Sequence, residues 1–180
     1  MITVLDFETT FITKPDKTTD PSPMRRGNYL VSAGYWTSTD ESEYLCFHHN
    51  PQEPTEGGHA TLQDVLARTR LLVAHNAKFE LMWLRETGFV YDKRVWCTQV
   101  AEYVLARAVR KSFKLKDILE DRGLSPKRTD LTQSYLDNGV GFEDMPWGVV
   151  EEYGLGDVRS TMELVRAQLA ELGMKSEEFV

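Results

Sequence analysis

Leu71-Leu72-Val73-Ala74 is a run of four apolar residues with no polar alternation. Such a run offers no face to water, so it fits a strand buried on both sides and parallel to its neighbour. Residues 1–8 supply that neighbour, because Ile2, Val4, Leu5 and Phe7 are apolar and a turn-rich stretch follows. Successive side chains of a strand leave on opposite faces, so Asp6 and Glu8, two apart in this apolar segment, leave on the same one. Two carboxylates on one face of a buried strand need a compensating partner, and that requirement governs the reading of the rest of the chain.

Strands are expected at 30–36 and 43–47, joined by a hairpin over 37–42, and a short strand at 95–97. The stretch 13–27, with Pro15, Pro21 and Pro23, reads as a loop, as does 50–59 with Pro51, Pro54 and Gly57-Gly58. Thr61 is placed to cap a short helix with Leu62, Val65 and Leu66 on its inner face. A helix over 77–86 ends at Gly88, Thr98 caps another carrying Val100, Tyr103, Val104 and Ala108, and one over 115–120 closes at Gly123. The stretch 125–141 is mixed. Asp144 and Pro146 mark the start of the last helical segment, with Val158, Met162, Val165, Leu169 and Leu172 as its apolar stripe. Three early strands, then strands alternating with helices, then a helical half, give an α/β fold with a mixed central sheet flanked by helices.

The chain has 180 residues, enough for one domain with a core of its own, and no apolar run near the ~18 residues that span a bilayer. No basic segment precedes Ile2-Thr3-Val4-Leu5, so no membrane association or export signal is expected, and the cytoplasm is the expected compartment. Cys46 and Cys97 are too few for a disulfide framework and read as buried thiols. A formal net charge of −7 argues against holding nucleic acid by one large basic surface. Basic residues do cluster locally, at Arg25-Arg26, at Arg107, Arg110, Lys111, Lys114 and Lys116, and at Lys127-Arg128, where each group reads equally as a solvated face or a phosphate contact.

Three segments carry candidate chemistry: Asp6-Phe7-Glu8-Thr9-Thr10, His75-Asn76-Ala77-Lys78-Phe79-Glu80, and Tyr153-Gly154-Leu155-Gly156-Asp157. Asn76 with Glu80, and Tyr153 with Asp157, are four apart and would share a helix face. Each pair has an ordinary explanation: acids at a strand end cap turns, Asn76 could cap a helix, and an aromatic and an acid can lie on any amphipathic helix. Gly154 and Gly156 each cost a helix about 1 kcal/mol relative to alanine, so something must approach that backbone closely, and a nucleotide is the natural candidate. Acids drawn from three distant segments would repel one another unless divalent cations lay among them.

The order Asp-x-Glu, His-Asn-x-x-Phe-Glu, Tyr-x-x-x-Asp resembles the three signature motifs of the DEDD superfamily of 3′-to-5′ exonucleases, in its tyrosine subclass. The text around residues 30–35, 95–103 and 115–119 is similar to the proofreading domains of bacteriophage family A DNA polymerases, and the likeness runs over roughly residues 1–172. It implies a ribonuclease H-like fold, one exonuclease domain over 1–180, and a site of Asp6, Glu8, Glu80, Tyr153 and Asp157. Asp6, Glu8, Glu80 and Asp157 would hold two divalent cations, Mg2+ or Mn2+, Asp6 bridging them, while the Tyr153 hydroxyl orients the attacking water. Thr9, Thr10, His75 and Asn76 are the implied substrate contacts, with His75 and Phe79 also read as orienting or core residues. The family has aspartate where Glu80 stands, so this carboxylate reaches one methylene further. The implied activity is release of 5′-mononucleotides from single-stranded DNA in replication proofreading or processing, in the host cytoplasm if the chain is viral, with a DNA polymerase as a possible partner. An exoribonuclease of the same superfamily, or a catalytically weak accessory subunit that only binds nucleic acid, are the alternatives.

Overall fold

The computed structural model describes residues 1–16, 18–107 and 109–174. Strand β1 (Ile2–Thr9) leads into a small hairpin, β2 (Ile12–Thr13) and β3 (Thr19–Asp20), inside the stretch read from sequence as a loop. Then come β4 (Leu30–Thr37) and β5 (Ser42–Cys46), helix α1 (Gly58–Arg68), β6 (Leu71–Ala74), α2 (Lys78–Glu86), β7 (Arg94–Cys97) and α3 (Thr98–Leu105). Three helices follow: α4 (Leu115–Arg122), α5 (Thr129–Asp137) in the mixed stretch, and the 25-residue α6 (Trp147–Glu171). The large sheet has the order β5-β4-β1-β6-β7, with β4 antiparallel to β1 and β5, and β6 parallel to β1 and β7. It is the mixed, helix-flanked sheet expected from the two apolar runs.

The alternation of β1 divides the interior. Leu5 and Phe7 pack with Leu62, Val65 and Leu66 of α1 and with Trp83 and Leu84 of α2. Ile2 and Val4 point the other way, joining Leu71 and Val73 against Val158, Met162, Val165 and Leu169 of α6. Each such buried aliphatic contributes roughly 2 kcal/mol, so the α6 stripe alone anchors this helix on the sheet. Leu172, read as the end of that stripe, lies beyond α6 and is 44% exposed. Asp6 and Glu8 continue the Ile2–Val4 side of β1, but the pairing with β6 ends at Val4–Val73. The two acids therefore overhang the carboxyl end of β6, the edge at which open α/β sheets make their ligand crevices.

Several local expectations are corrected. Helix α1 starts at Gly58 after the left-handed Gly57, a turn earlier than a cap at Thr61 allows. Cys97, not Thr98, precedes α3 as its cap, and the Thr98 hydroxyl serves His75 instead. On α3 the apolar Val100, Tyr103 and Val104 face solvent, while the buried side includes Glu102; Ala108 lies outside the described residues. Glu102 is held by Arg110 (2.8 Å), Arg122 (2.9 Å) and the Gln168 amide (3.1 Å), so its charge is fully engaged inside the protein. The close approach at Gly154 is made by the protein itself. A Cβ there would collide with the Tyr44 ring, which hydrogen-bonds Ser32 at 2.8 Å, and a Cβ on the facing Gly34 would sit 3.3 Å from the Gly154 carbonyl. Gly156 would meet only Arg128, at 3.9 Å. Among the described residues no helix is long and apolar enough to cross a membrane.

Candidate active site

The overhanging end of β1, the N-terminal turn of α2 and the middle of α6 meet in a cleft of about 1000 Å³. Asp6, Glu8, Thr9, His75, Asn76, Phe79, Glu80, Tyr153 and Asp157 all line it. Three of the four acids close into one cluster: Asp6, Glu8 and Asp157 each present an oxygen within 4.8 Å of the others. Glu80 stands outside that triplet. It reaches the cleft from the α2 side of the sheet, opposite the side on which α6 presents Asp157.

Burial and mutual repulsion dominate the electrostatics of these acids. Burial, and then the Asp157 charge, lift the Asp6 carboxyl to about 7. Glu8 is pushed well above the ordinary glutamate range by burial and by Asp6 and Asp157, and Glu80 likewise by burial and by Asp6. Two buried oxygens, Oε2 of Glu80 and Oδ1 of Asp157, have no hydrogen-bond partner. Polar atoms that face a cleft without partners are suited to an added ligand, and a donor set of oxygens alone suits a hard divalent cation.

A cation of the chain's own enters the cluster. Lys127, which sequence reasoning grouped with Arg128 as a basic pair, points its ammonium at the Asp157 carboxylate and lies 4.8 Å over the Tyr153 ring. Burial alone would lower its pKa, but the Asp157 charge and those around it outweigh that effect and raise it. Its neighbour Arg128 turns outward to Asp130 and Glu152. No sequence signal separated the two, since both sit in one polar stretch.

Tyr153 is 7% exposed and stacks on Phe142 at 5.8 Å. Burial and the Glu8 charge hold its phenol protonated, so it can donate a hydrogen bond into the cleft but not take up a proton. His75 is fixed at both ring nitrogens. Phe113 O, which can only accept, lies 3.0 Å from Nε2, so Nε2 carries the proton, and Nδ1 accepts from Thr98 Oγ1 at 2.9 Å. Burial depresses its pKa to about 4. The ring is neutral at physiological pH and ties the Phe113 loop to the end of β6. Asn76 precedes α2, in a turn with φ 62°, so it shares the cleft with Glu80 without sharing a helix face. Left-handed backbone costs asparagine less than most residues. Thr9 lines the cleft. Thr10 does not: its hydroxyl accepts the Tyr29 N–H at 2.8 Å and holds β1 to the segment entering β4.

No protein-family model matches the chain, and no curated protein matches it in sequence. Solved structures do match. The apo form of a nuclease superposes with a TM-score of 0.63 at 21% identity, over 95% of this chain and 72% of that one. Brucella melitensis NrnC with bound Mg2+ gives 0.61 at 17%, over 99% and 78%. The family B DNA polymerase of Pyrobaculum calidifontis gives 0.62 at 18%, over 93% of this chain and 24% of the polymerase. What is shared at these identities is architecture, and together with the strand order β5-β4-β1-β6-β7 it makes the fold of this chain ribonuclease H-like.

Proposed function

We propose that the chain is a divalent-cation-dependent 3′-to-5′ exonuclease acting on single-stranded DNA, built as one domain. The observation that carries the reading is the meeting of Asp6, Glu8 and Asp157 oxygens within 4.8 Å, with Glu80 lining the same cleft. Asp6, Glu8, Asp157 and Glu80 are the residues that would hold two Mg2+ or Mn2+ ions, and the two unpartnered buried oxygens fit that role. Bound there, the ions supply activation of water at neutral pH and neutralise charge on the departing oxygen. Likeness to a nuclease and to a Mg2+-bound protein of the same fold supports the assignment. The order of the three motifs supports the finer placement in the tyrosine subclass of DEDD exonucleases.

The chain's own groups have definite tasks in this scheme. Tyr153 keeps its proton and offers it as a hydrogen bond to a water held beside Asp157. Lys127, once an external cation relieves it of Asp157, provides a positive charge for the phosphodiester under attack. Thr9 and Asn76 line the cleft where the terminal nucleotide would sit, Asn76 from an exposed turn and Thr9 from the last position of β1. Phosphate, sugar and metal contacts dominate such a site, so base identity has little effect on rate. Trimming of single-stranded ends in replication, in the cytoplasm, is the setting that suits it.

The test is a 5′-labelled oligonucleotide incubated with the protein and Mg2+ or Mn2+. Stepwise shortening from the 3′ end is expected, abolished by EDTA and reduced by Asp6→Ala or Asp157→Ala. Absence of shortening, or shortening indifferent to both substitutions, rejects the assignment. Matched DNA and RNA strands in one reaction decide the sugar.

A further inference from the structure

The cleft does not stop at the acids. Gln99, Lys114, Leu115 and Lys116 line its far side, where the segment between α3 and α4 forms the rim. That rim is pinned from within the cleft: Phe113 O accepts from His75 Nε2 at 3.0 Å and from Gln99 Nε2 at 3.2 Å. The Phe113 ring meets Tyr103 of α3, centroid to centroid, at 5.4 Å, and Tyr103 is 52% exposed. Aromatic surface, fixed in position and open to solvent, thus begins where the acidic end of the cleft leaves off.

Part of the basic surface is neutralised by acids of the chain itself. Arg25 is paired with Asp20, Arg68 with Glu41 and Asp64, Arg110 with Glu102 and Asp121, and Arg128 with Asp130 and Glu152. Lys111, Lys114 and Lys116 are exposed and form no ion pair with a described residue. On a chain of net charge −7, three unpaired ammonium groups flanking an aromatic pair complement a polyanion whose units carry flat rings.

We infer that the α3–α4 rim is a second single-strand subsite, in which Tyr103 and Phe113 take a nucleobase and Lys111, Lys114 and Lys116 take the phosphates of the strand leading away from the acids. The inference rests on the exonuclease reading for the direction of the strand. It gives the outward-facing Tyr103 a ligand, and it makes the enzyme length-dependent: a strand that reaches the rim is held there while its end lies in the cleft. A dinucleotide is not.

Two measurements test it. In the first, kcat/KM is compared between a dinucleotide and a strand long enough to cross the rim. Tyr103→Ala lowers the long-to-short ratio about tenfold, as expected for loss of one stacked base, and Tyr103→Phe keeps it. In the second, binding of a fluorescent single strand is followed in EDTA as salt is raised. Each neutralised phosphate contributes about 0.7 to the slope of log K against log salt, so replacing Lys111, Lys114 and Lys116 with alanine lowers that slope by about 2. An unchanged ratio with an unchanged slope overturns the subsite and leaves the exposed face of α3 to a protein partner. If no substrate is cleaved at all, the exonuclease reading fails, and the salt slope together with the effect of Tyr103→Ala on strand binding still decides whether the rim holds nucleic acid.

Discussion

Lys127 gives the sharpest test of the site's electrostatics. Two like charges 4.8 Å apart repel by about 3 kcal/mol at an effective dielectric near 20, and Asp6, Glu8 and Asp157 form three such pairs when all are ionised. In the metal-free chain the ammonium on Asp157 offsets part of this, with side-chain exposures of 20% and 4% for the two partners. Lys127→Met removes the offset and keeps the length of the stem. The acids can respond by holding protons, so the loss is at most about 3 kcal/mol, or roughly 5–10 °C in the Tm of a chain this size measured in EDTA. Saturating Mn2+ then recovers that loss, because external cations take over the role. Mn2+ itself binds more tightly to the variant, since no ammonium has to be displaced; if half of the 3 kcal/mol had opposed binding, Kd falls about tenfold. On the exonuclease reading turnover nevertheless drops, because the charge proposed to face the phosphate is gone. Scanning calorimetry in EDTA and titration calorimetry with Mn2+ read the two equilibrium effects. Equal or weaker Mn2+ binding, with an unchanged metal-free Tm, refutes the idea that Lys127 stands in for a cation.

Acidity tests the same cluster from another side. The Asp6 carboxyl titrates near 7 when folded and near 4 when unfolded, so between those values the folded chain binds a proton that the unfolded chain has released. Metal-free stability therefore falls as pH rises from about 4 to about 7, Mg2+ affinity rises over the same window, and Asp6→Asn reduces both slopes while the raised Glu8 and Glu80 keep a remainder; a metal-free Tm that climbs through this range contradicts the raised carboxyls. Glu80→Asp keeps or increases turnover, whereas Glu80→Ala lowers it at least roughly tenfold, the smallest loss typical even of residues that only orient a metal ligand; equal rates for all three remove Glu80 from the site. Gly154→Ala costs about 2 to 3 kcal/mol in chemical denaturation because its methyl meets the Tyr44 ring, while Gly156→Ala, which meets only the Arg128 side chain at ordinary contact distance, gains up to about 1 kcal/mol of helix propensity; equal effects would show that Tyr44 does not set the contact between α6 and β4.

Much of this architecture was legible because two signals coincide in the same residues. The apolar runs at 2–7 and 71–74 called for a covered parallel pair, and the alternation of β1 put Asp6 and Glu8 on one side; that they lie beyond the last paired residue came from the register. The long stripe of α6 was equally clear, since Val158, Met162, Val165 and Leu169 repeat at helical spacing and bury together. The failures have a common physical origin in pairing between residues far apart in sequence. Helical periodicity would turn Val100, Tyr103 and Val104 inward, but Glu102 finds Arg110, Arg122 and Gln168 inside the protein, and that network rotates α3 the other way. Lys127 looked like its neighbour Arg128 because nothing local to either reveals that one meets Asp157, thirty residues on. The glycine at 154 did signal a close approach, but the approaching group was a tyrosine from β5.

The docking of α6 has a consequence for the chain while it is being made. A ribosome releases Asp6, Glu8 and Glu80 long before Tyr153 and Asp157, and the earlier acids have no counterpart until this last long helix lies down on Ile2, Val4, Leu71 and Val73. The step that buries the apolar stripe is also the one that completes the acidic triplet. On the exonuclease reading proposed above, a polypeptide whose α6 has not yet docked lacks the acidic triplet, and competence to cut is conferred by tertiary structure alone.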